Sequence, residues 1–181
     1  MEKKSIDITI QLPGGIETQI DGNKLNIKGP KGEIEKTFKY PNIKIEKSDS
    51  KIIIKSKSKT RKFKRILNTI ESHIQNIISG VNNPYIYKLK ICSGHFPMKV
   101  TQEQDKIVIT NFLGEKIPRK AKILPNVNVK IVADIITLEG VDKENTSQSA
   151  ANIEQTTKIK GRDRRIFQDG CYIVERYQKN E

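Results

Sequence analysis

Hydrophobic and polar residues alternate along most of the first sixty positions of the chain. Five segments, IDITIQL, KLNIKG, IEKTFKY, IKIEK and KIIIKS, follow a period close to two, and Gly or Pro stands between several of them. Side chains two positions apart lie on the same face of a β-strand, so this period is typical of strands with one buried face. The GPKG segment that begins at Gly29 has the composition of a turn between two strands. The pattern therefore predicts a series of short antiparallel strands.

The period changes at Phe63, where apolar residues begin to recur at intervals of three and four. The members of this stripe are Phe63, Ile66, Leu67, Ile70, Ile74, Ile77 and Ile78. Such spacing places all of them on one face of an α-helix. Thr60 is the predicted N-cap of this helix, and Gly80 is its predicted C-terminal stop. A helix of this kind covers one face of an antiparallel sheet, which is the arrangement of an α+β domain.

The same order of segments occurs a second time. KLNIKGPKGEIEKTF, from Lys24, and KIVITNFLGEKIPRKA, from Lys106, each contain a strand pattern, a turn with Gly-Glu and a second basic strand. NIKI and KIII in the first half resemble NVNV and DIIT in the second half, at an offset of about 82–84 residues. The second helix is predicted near SQSAANIEQTTK, where the apolar stripe is short, mainly by analogy with the first helix.

A turn-forming NNP triplet at positions 82–84 marks the boundary between the two copies. Residues 1–82 are predicted to form the first α+β repeat. Residues 83–181 are predicted to form the second repeat, which ends in a basic C-terminal segment. The predicted fold class is thus α+β with an internal duplication, in which each domain is an antiparallel β-sheet packed with one main α-helix.

The net charge narrows the range of partners. The chain has 34 Lys and Arg against 21 Asp and Glu, and its net charge of +13 favours a polyanionic partner. A nucleic acid, an acidic membrane surface and an acidic protein all fit that condition. The chain starts without the apolar segment of a secretory signal, and no apolar run reaches the length of a membrane span. Cys92 and Cys171 lack metal-ligand spacing and are expected to be reduced thiols in a cytosolic protein.

Three segments concentrate the positive charge. The first cluster, at the start of the first predicted helix, comprises Lys55, Lys57, Lys59, Arg61, Lys62, Lys64 and Arg65. The second cluster, after the turn NFLGEK, comprises Lys116, Arg119, Lys120 and Lys122. The third cluster comprises Lys158, Lys160, Arg162, Arg164 and Arg165 and is followed by Phe167. Helix N-termini bind anions, and Arg makes bidentate contacts with phosphates. A solvated basic surface explains any one cluster, but it explains all three together less well.

The sequence contains little that resembles catalytic machinery. There is no P-loop motif, and His73 lies at the edge of the helical stripe. His95, in SGHFPM, has no carboxylate, Cys or His partner nearby in the sequence. An RNA-modifying or RNA-processing enzyme would have to use His95 with Asp163 and Asp169, and this class remains one alternative. A protein-binding adaptor that uses the surface of the first repeat is the other alternative. No metal site and no cofactor are predicted.

Among the polyanions, a folded RNA fits the sequence best. Zinc-finger spacing, a basic zipper and a helix-turn-helix pattern are all absent from the sequence. Aromatic residues make up only 6% of the chain, and this scarcity disfavours a single-strand-binding surface built on base stacking. No basic run is paired with an apolar helix face that is available for insertion into a membrane. Contacts to the phosphates and 2′-hydroxyls of a folded RNA are compatible with all of these features.

Several motifs, in order, resemble the family of the large-subunit ribosomal protein L6 in its archaeal and eukaryotic form. They are IKGPKGEIEKTF, HFPM, NFLGEKIPR and, as the most specific match, QTTKIKGRDRRIFQDGCYIVER at positions 155–176. The resemblance extends from about Ile6 to Arg176. Cys171 stands where an aliphatic residue is usual, and Cys packs as a small hydrophobe. Ser147 stands where relatives tend to have Gly, and it is expected to serve as a helix cap.

The resemblance implies a structural, non-enzymatic protein of the large ribosomal subunit in the cytoplasm. It further implies binding to 23S-type ribosomal RNA near the sarcin–ricin loop, support of the region where translational GTPases dock, and contacts with neighbouring ribosomal proteins. In this family the RNA contact lies largely in the C-terminal copy. The residues expected to bind ribosomal RNA are His95, Lys116, Arg119, Lys120, Lys122, Lys158, Lys160, Arg162, Arg164, Arg165 and Phe167. The residues of a secondary basic surface are Lys57, Lys59, Arg61, Lys62 and Arg65.

Overall fold

A computed structural model describes residues 6–40, 42–48, 51–56 and 58–176. The chain divides into two compact units, Met1–Pro84 and Tyr85–Glu181, here called the first unit and the second unit. The elements of the first unit are β1 (Ile6–Gln11), β2 (Glu17–Asp21), β3 (Lys24–Gly29), β4 (Gly32–Thr37), β5 (Ile43–Ser48), β6 (Lys51–Ser56) and α1 (Arg61–Asn82). Its strands pair antiparallel in two sheets, with the orders β1-β6-β5 and β2-β3-β4. The alternating pattern predicted β1, β3, β4, β5 and β6, but it missed β2 and did not predict the division of the strands between two sheets.

Helix α1 packs against strands of both sheets of the first unit. Its apolar stripe is buried from Leu67 to Ile78, as the spacing predicted. Thr60 is the N-cap, and its Oγ1 accepts a hydrogen bond from the Phe63 backbone N–H at 3.5 Å. The predicted stop at Gly80 was wrong, because the helix continues to Asn82. The backbone becomes extended at residue 83, which precedes a proline, and residues before proline are disfavoured in helical conformation.

Gly29, at the end of β3, lies against the last turn of α1. A Cβ atom at this position would be 2.8 Å from both Cβ and Cγ2 of Val81. The Lys31 N–H, in the turn that follows, donates to the Val81 carbonyl at 3.0 Å. The turn between β3 and β4 is therefore fixed to the helix by a close contact that only glycine permits.

We expect Gly29→Ala to lower the free energy of unfolding by about 1–3 kcal/mol, because an added methyl group overpacks a rigid contact. Gly14→Ala is the matched control, since a Cβ there would meet no atom within 4 Å. It is expected to change the free energy of unfolding by at most about 0.5 kcal/mol. Urea denaturation of the full chain measures both effects. Equal stability of the two variants would contradict the role given to the contact between Gly29 and Val81.

The second unit repeats this order and adds a strand. Its elements are β7 (Tyr85–Cys92), β8 (Lys99–Glu103), β9 (Lys106–Thr110), a short 3-10 turn (Phe112–Gly114), β10 (Arg119–Lys122), β11 (Val127–Val132), β12 (Ile135–Gly140), α2 (Lys143–Thr156) and β13 (Gly170–Glu175). Its two antiparallel sheets have the orders β10-β9-β8 and β11-β12-β7-β13. The run β11-β12-β7 corresponds to β5-β6-β1 of the first unit, so the predicted α+β class with an internal duplication is confirmed. In the described residues, β13 has no counterpart in the first unit.

Helix α2 begins four residues before the segment in which it was predicted. Asp142 is its N-cap, and Oδ1 of Asp142 accepts a hydrogen bond from the Glu144 N–H at 2.9 Å. The expectation that Ser147 caps the helix was wrong, because Ser147 lies inside α2 and its hydroxyl donates to the Glu144 carbonyl at 3.2 Å. Small residues such as Ala150 are fully buried here. They replace the wide apolar stripe of α1 and account for the weak helical pattern.

The core of the second unit lies between α2 and its sheets. It is built mainly from β7, β9, β12 and the 3-10 turn, with Cys171 of β13 fully buried at its edge. Burial raises the pKa of the Cys171 thiol to about 12, and the nearby Cys92 thiol adds to this effect. The cysteine that departs from the family pattern therefore packs as a neutral hydrophobe, as expected.

Candidate RNA interface

The third basic cluster lies on a closed loop that connects α2 to β13. The two ends of this loop are joined, because the Cys171 N–H donates to Thr157 Oγ1 at 2.9 Å. Inside the loop, the Asp163 carbonyl accepts hydrogen bonds from the Ile166 N–H at 3.2 Å and from the Phe167 N–H at 2.9 Å. The five cations of the cluster are all exposed. The loop therefore presents its positive charge on a backbone that its own hydrogen bonds define.

The three arginines of this loop have different surroundings. Arg165 forms an ion pair with Asp163, with 2.8 Å between Nη2 and Oδ2, and this pairing lowers the pKa of the Asp163 carboxyl. The Arg162 guanidinium lies over the Phe167 ring, 4.8 Å from its centroid. Arg164 has no hydrogen-bond or ion-pair partner among the residues that the structure describes. Among the three arginines of this loop, Arg164 is thus the one least engaged by the protein itself.

The loop also reaches the His95 segment, which is more than sixty residues away in the sequence. The rings of His95 and Phe167 are 4.8 Å apart at an interplanar angle of 34°, so that Arg162, Phe167 and His95 form a stack. Oδ1 of the buried Asp169 accepts hydrogen bonds from the backbone N–H groups of Gly94 and His95, the latter at 3.2 Å. These contacts bring His95 and Phe167, two of the residues predicted to bind RNA, into one site with the third cluster.

The second cluster includes one cation that the protein itself holds. Arg119, at the start of β10, donates from Nε to Glu115 Oε2 at 2.8 Å and from Nη1 to the Thr156 carbonyl at 2.7 Å. Its guanidinium also lies 4.2 Å from the centroid of the Phe112 ring. The hydrogen bonds from Arg119 lower the pKa of the Glu115 carboxyl. Arg119 therefore ties the turn before β10 to the C-terminal end of α2, where a cation is favourable.

The other members of the second cluster are exposed. Lys116 lies in the turn, and Lys120 and Lys122 project from the outer side of β10 on either side of the buried Ala121. Phe112, the aromatic residue of this turn, is buried and only 1% exposed. The turn thus packs Phe112 into the core, while Lys116 in the turn and Lys120 and Lys122 in β10 are exposed to solvent.

In the first unit, the secondary basic surface surrounds the start of α1. Lys59, Arg61, Lys62 and Arg65 are exposed there, whereas Lys57 lies outside the described residues. The first turn of α1 contains no acidic residue. Cations at a helix N-terminus are mildly unfavourable, so the arrangement is compatible with an external anion.

In residues 6–40, 42–48, 51–56 and 58–176, no group of three or more His, Cys, Asp and Glu side chains is placed to hold a metal ion. No helix within those ranges is long and apolar enough to cross a membrane.

The structural role of Asp169 could not be predicted from the sequence. Asp169-Gly170 has the composition of a turn, yet the Asp169 side chain is only 2% exposed and holds the backbone of the His95 segment. Beside it, Ile166 and Tyr172 are exposed apolar and aromatic side chains. In the sequence, Ile166, Asp169 and Tyr172 are linked to this site only by following closely after the arginines of the third cluster.

Comparisons with known proteins agree with one another over most of the chain. A family model described as ribosomal protein L6 matches residues 12–83 and 96–170, one segment in each unit. The large ribosomal subunit protein uL6 of Methanosarcina mazei is 45% identical over 173 residues, which cover 96% of this chain and 98% of the relative. The proteins of the same name from Methanothrix thermoacetophila and Methanobrevibacter smithii are 43% and 41% identical over 167 residues, or 92% of this chain. These alignments cover 95% and 94% of the two relatives.

Proposed function

Because the chain belongs to the ribosomal protein L6 family, we propose that it braces ribosomal RNA near the sarcin–ricin loop and supports the surface on which translational GTPases dock. The family is a structural, non-enzymatic one of the large ribosomal subunit, and the resemblance found in the sequence is confirmed. The chain is therefore an archaeal-type ribosomal protein of the cytoplasmic ribosome.

One observation carries the proposal: the third cluster lies on a loop whose conformation is set by the protein. A preordered loop loses less conformational entropy on binding than a mobile one does. Its exposed Arg164 and the stack of Arg162 on Phe167 offer guanidinium groups for phosphates. Contacts of this kind position an RNA backbone and release counterions, with little direct reading of base sequence.

We assign different roles to the residues proposed to bind ribosomal RNA. Those proposed to contact the RNA directly are Lys116, Lys120, Lys122, Lys158, Lys160, Arg162, Arg164, Arg165 and, through the ring stack, His95 and Phe167. Arg119 acts as a positioning residue, because its guanidinium already binds Glu115 and the end of α2. The described residues of the secondary surface are proposed as a weaker, separate contact of the first unit with RNA or with a neighbouring ribosomal protein.

The enzyme alternative has no support in the site. Asp163 is engaged by Arg165. Asp169 Oδ1 accepts two backbone N–H groups and lies 3.7 Å from His95 Nδ1, so this buried carboxylate already holds the His95 segment in place. Their geometry is that of structural carboxylates, in keeping with the non-enzymatic family.

The proposal is tested by a salt wash of large subunits, by the salt dependence of RNA binding and by hydroxyl-radical footprinting of the RNA. We expect the full chain to remain with large subunits through a moderate salt wash that removes loosely bound proteins. In binding to isolated large-subunit RNA, log K should fall linearly with log salt, by about 0.7–0.9 for each phosphate contacted. Hydroxyl-radical footprinting should show protection at or beside the sarcin–ricin hairpin. Loss of the chain during the wash would favour the adaptor alternative, and protection confined to distant RNA would overturn the proposed location.

A further inference from the structure

The Tyr172 ring lies along β13, on the face of the four-stranded sheet that is turned away from the core. Its hydroxyl donates to the Asp169 carbonyl at 3.4 Å. A Cβ atom at Gly170 would be 3.3 Å from both Cζ and Oη of Tyr172, so the glycine leaves room for the ring to lean back along the strand. Tyr172 is still 36% exposed, and no other aromatic ring or cation among the described residues lies on its face. The side of the ring that faces away from Gly170 is therefore available to a ligand.

Two unpaired cations lie close to this ring. Lys90 of β7 is directly opposite Tyr172 in the strand register, and the Cβ atoms of such opposite residues are about 4.5–5.5 Å apart. Arg164 of the basic loop lines two grooves, and Tyr172 lines both of them as well. Lys90 and Arg164 are exposed, and neither has a hydrogen-bond or ion-pair partner in the part of the chain that the structure describes. Their charges are thus available to phosphates beside the ring.

The two grooves that meet at Tyr172 and Arg164 have the size and lining for nucleotides. Their volumes are about 640 and 370 Å³, within the range of about 300–1,000 Å³ that is typical of sites for small molecules. Ile166, which is 62% exposed, adds an apolar wall to the larger groove, and the exposed Lys158 adds a cation to the smaller one. A flat aromatic ring, an apolar wall and several cations therefore occur together on one surface.

The carboxylates that line these grooves are engaged by the protein backbone. Oδ1 of the buried Asp169 accepts the Gly94 and His95 N–H groups in the larger groove. In the smaller groove, Oε1 of Glu154 accepts the Ile173 N–H at 3.1 Å. The residues left to contact a ligand are thus the ring, the apolar wall and the cations.

We propose that Tyr172 stacks on one unpaired base of the ribosomal RNA, while Arg164 and Lys90 bind the phosphates on either side of that nucleotide. The inference rests on the proposed function for the identity of the RNA, and it adds Tyr172 and Lys90 to the contact surface. Inside a helix the faces of the bases cover one another, so only an unpaired nucleotide can place its base on the ring. Every base has a π face, so the site selects an unpaired nucleotide without selecting a base.

Tyr172→Leu and Tyr172→Phe are the variants that test the stack. Leucine keeps an apolar side chain without a π face, whereas phenylalanine keeps the ring and loses only the hydroxyl. Binding of the full chain to large-subunit RNA is measured over a range of salt concentrations. We expect Tyr172→Leu to lower the affinity about tenfold at every salt concentration, because a stacked base contributes that much and releases no counterions. Tyr172→Phe should bind like wild type.

Two control variants separate stacking from charge and from general effects. Arg164→Gln should instead make the slope of log K against log salt shallower, by about 0.7–0.9 for one lost phosphate contact. Tyr40→Leu alters a partly exposed tyrosine of the first unit and should leave the affinity within about twofold of wild type. Slow labelling of the buried Cys171 thiol reports that each variant is folded. Wild-type affinity of Tyr172→Leu, or equal losses in the leucine and phenylalanine variants, would overturn the inference.

A second measurement uses the wild-type chain and so does not depend on folding of a variant. The complex with large-subunit RNA is irradiated with ultraviolet light, which joins stacked bases to aromatic side chains, and the digested product is analysed by mass spectrometry. We expect a nucleotide attached to Tyr172 and none attached to Tyr40. Chemical probing of the RNA should show that the attached nucleotide is unpaired. A complex in which Tyr172 carries no nucleotide, or carries one from a paired helix, would also overturn the inference.

The two proposals fail in different ways. If wild type binds large-subunit RNA with a steep salt dependence but Tyr172→Leu binds equally well, the stacking site is wrong and the proposed function stands. If Tyr172 becomes attached to an unpaired nucleotide while the footprint lies far from the sarcin–ricin hairpin, the proposed location is wrong and the stacking site stands.

Discussion

Replacing Arg162, Arg164 and Arg165 together by alanine is expected to lower the affinity for large-subunit RNA about 100-fold at roughly 0.1 M salt. A hydrogen bond to a charged group contributes about 1.5–3 kcal/mol, and about 1.4 kcal/mol corresponds to tenfold in affinity. We count two full contacts because Arg165 shares its charge with Asp163. The slope of log K against log salt should become shallower by about 1.4–1.8 units, at 0.7–0.9 for each of the two lost phosphate contacts.

The matched control removes the same amount of charge elsewhere in the second unit. Lys99, Lys106 and Lys130 are exposed residues of β8, β9 and β11 that belong to none of the three clusters. Their triple alanine variant should lose much less affinity, while circular dichroism reports that both variants remain folded. Equal losses would mean that net charge alone matters, and an unchanged slope in the arginine variant would refute the role of the loop. Among single variants, Arg164→Ala should weaken binding more than Arg165→Ala.

Leu89→Ala is expected to lower the free energy of unfolding of the second unit by about 2–5 kcal/mol. Leu89 is fully buried in β7, between Ile136 of β12 and Ile173 of β13 in the sheet register. Removing its side chain leaves a cavity that strands paired on both sides cannot readily fill.

Thiol labelling in increasing urea measures this effect in the second unit alone, since both cysteines lie there. Cys171 is buried, and its pKa is raised to about 12, so it reacts only when the unit opens. Ile86→Ala is the matched control because Ile86 is on the same strand but 41% exposed. We expect Leu89→Ala to move the labelling midpoint of Cys171 to much lower urea, and Ile86→Ala to leave it nearly unchanged. A similar shift in both variants would contradict the assigned packing.

Periodicity predicted the fold where each element repeats a local pattern. Five of the six described strands of the first unit and the stripe of α1 follow directly from spacings of two and of three to four residues, whereas β2 was missed. The constant offset between the halves predicted the duplication that the equivalent strand orders confirm. β13 was missed for a physical reason: it follows a long basic loop and has no counterpart in the first repeat. The start of α2 was misplaced because its buried face consists of small and polar residues.

The positions of the positive charges in the candidate site could be predicted from the sequence. The contacts that those residues make in the structure could not. Clusters of Lys and Arg can be read from the sequence, since exposed cations need no partner to be recognised. Which of them are engaged depends on contacts between distant segments, such as the hydrogen bond from His95 to Asp169 across 74 residues. Arg119 shows the difference, because a cation that the sequence presents as free is fully used inside the unit. The buried position of Asp169 has no signature in the sequence.

The pairing of β13 with β7 also has a consequence for the newborn protein during its synthesis. All strands and the helix of the first unit lie within residues 6–82, so this unit can fold while later residues are still being added. β7 lacks one neighbour until residues 170–175 emerge, which leaves an open strand edge of the kind that invites misassembly. The basic loop that connects α2 to β13 thus takes its final form only after residues 170–175 have emerged, and until then β7 is open to pairing with a strand of another chain.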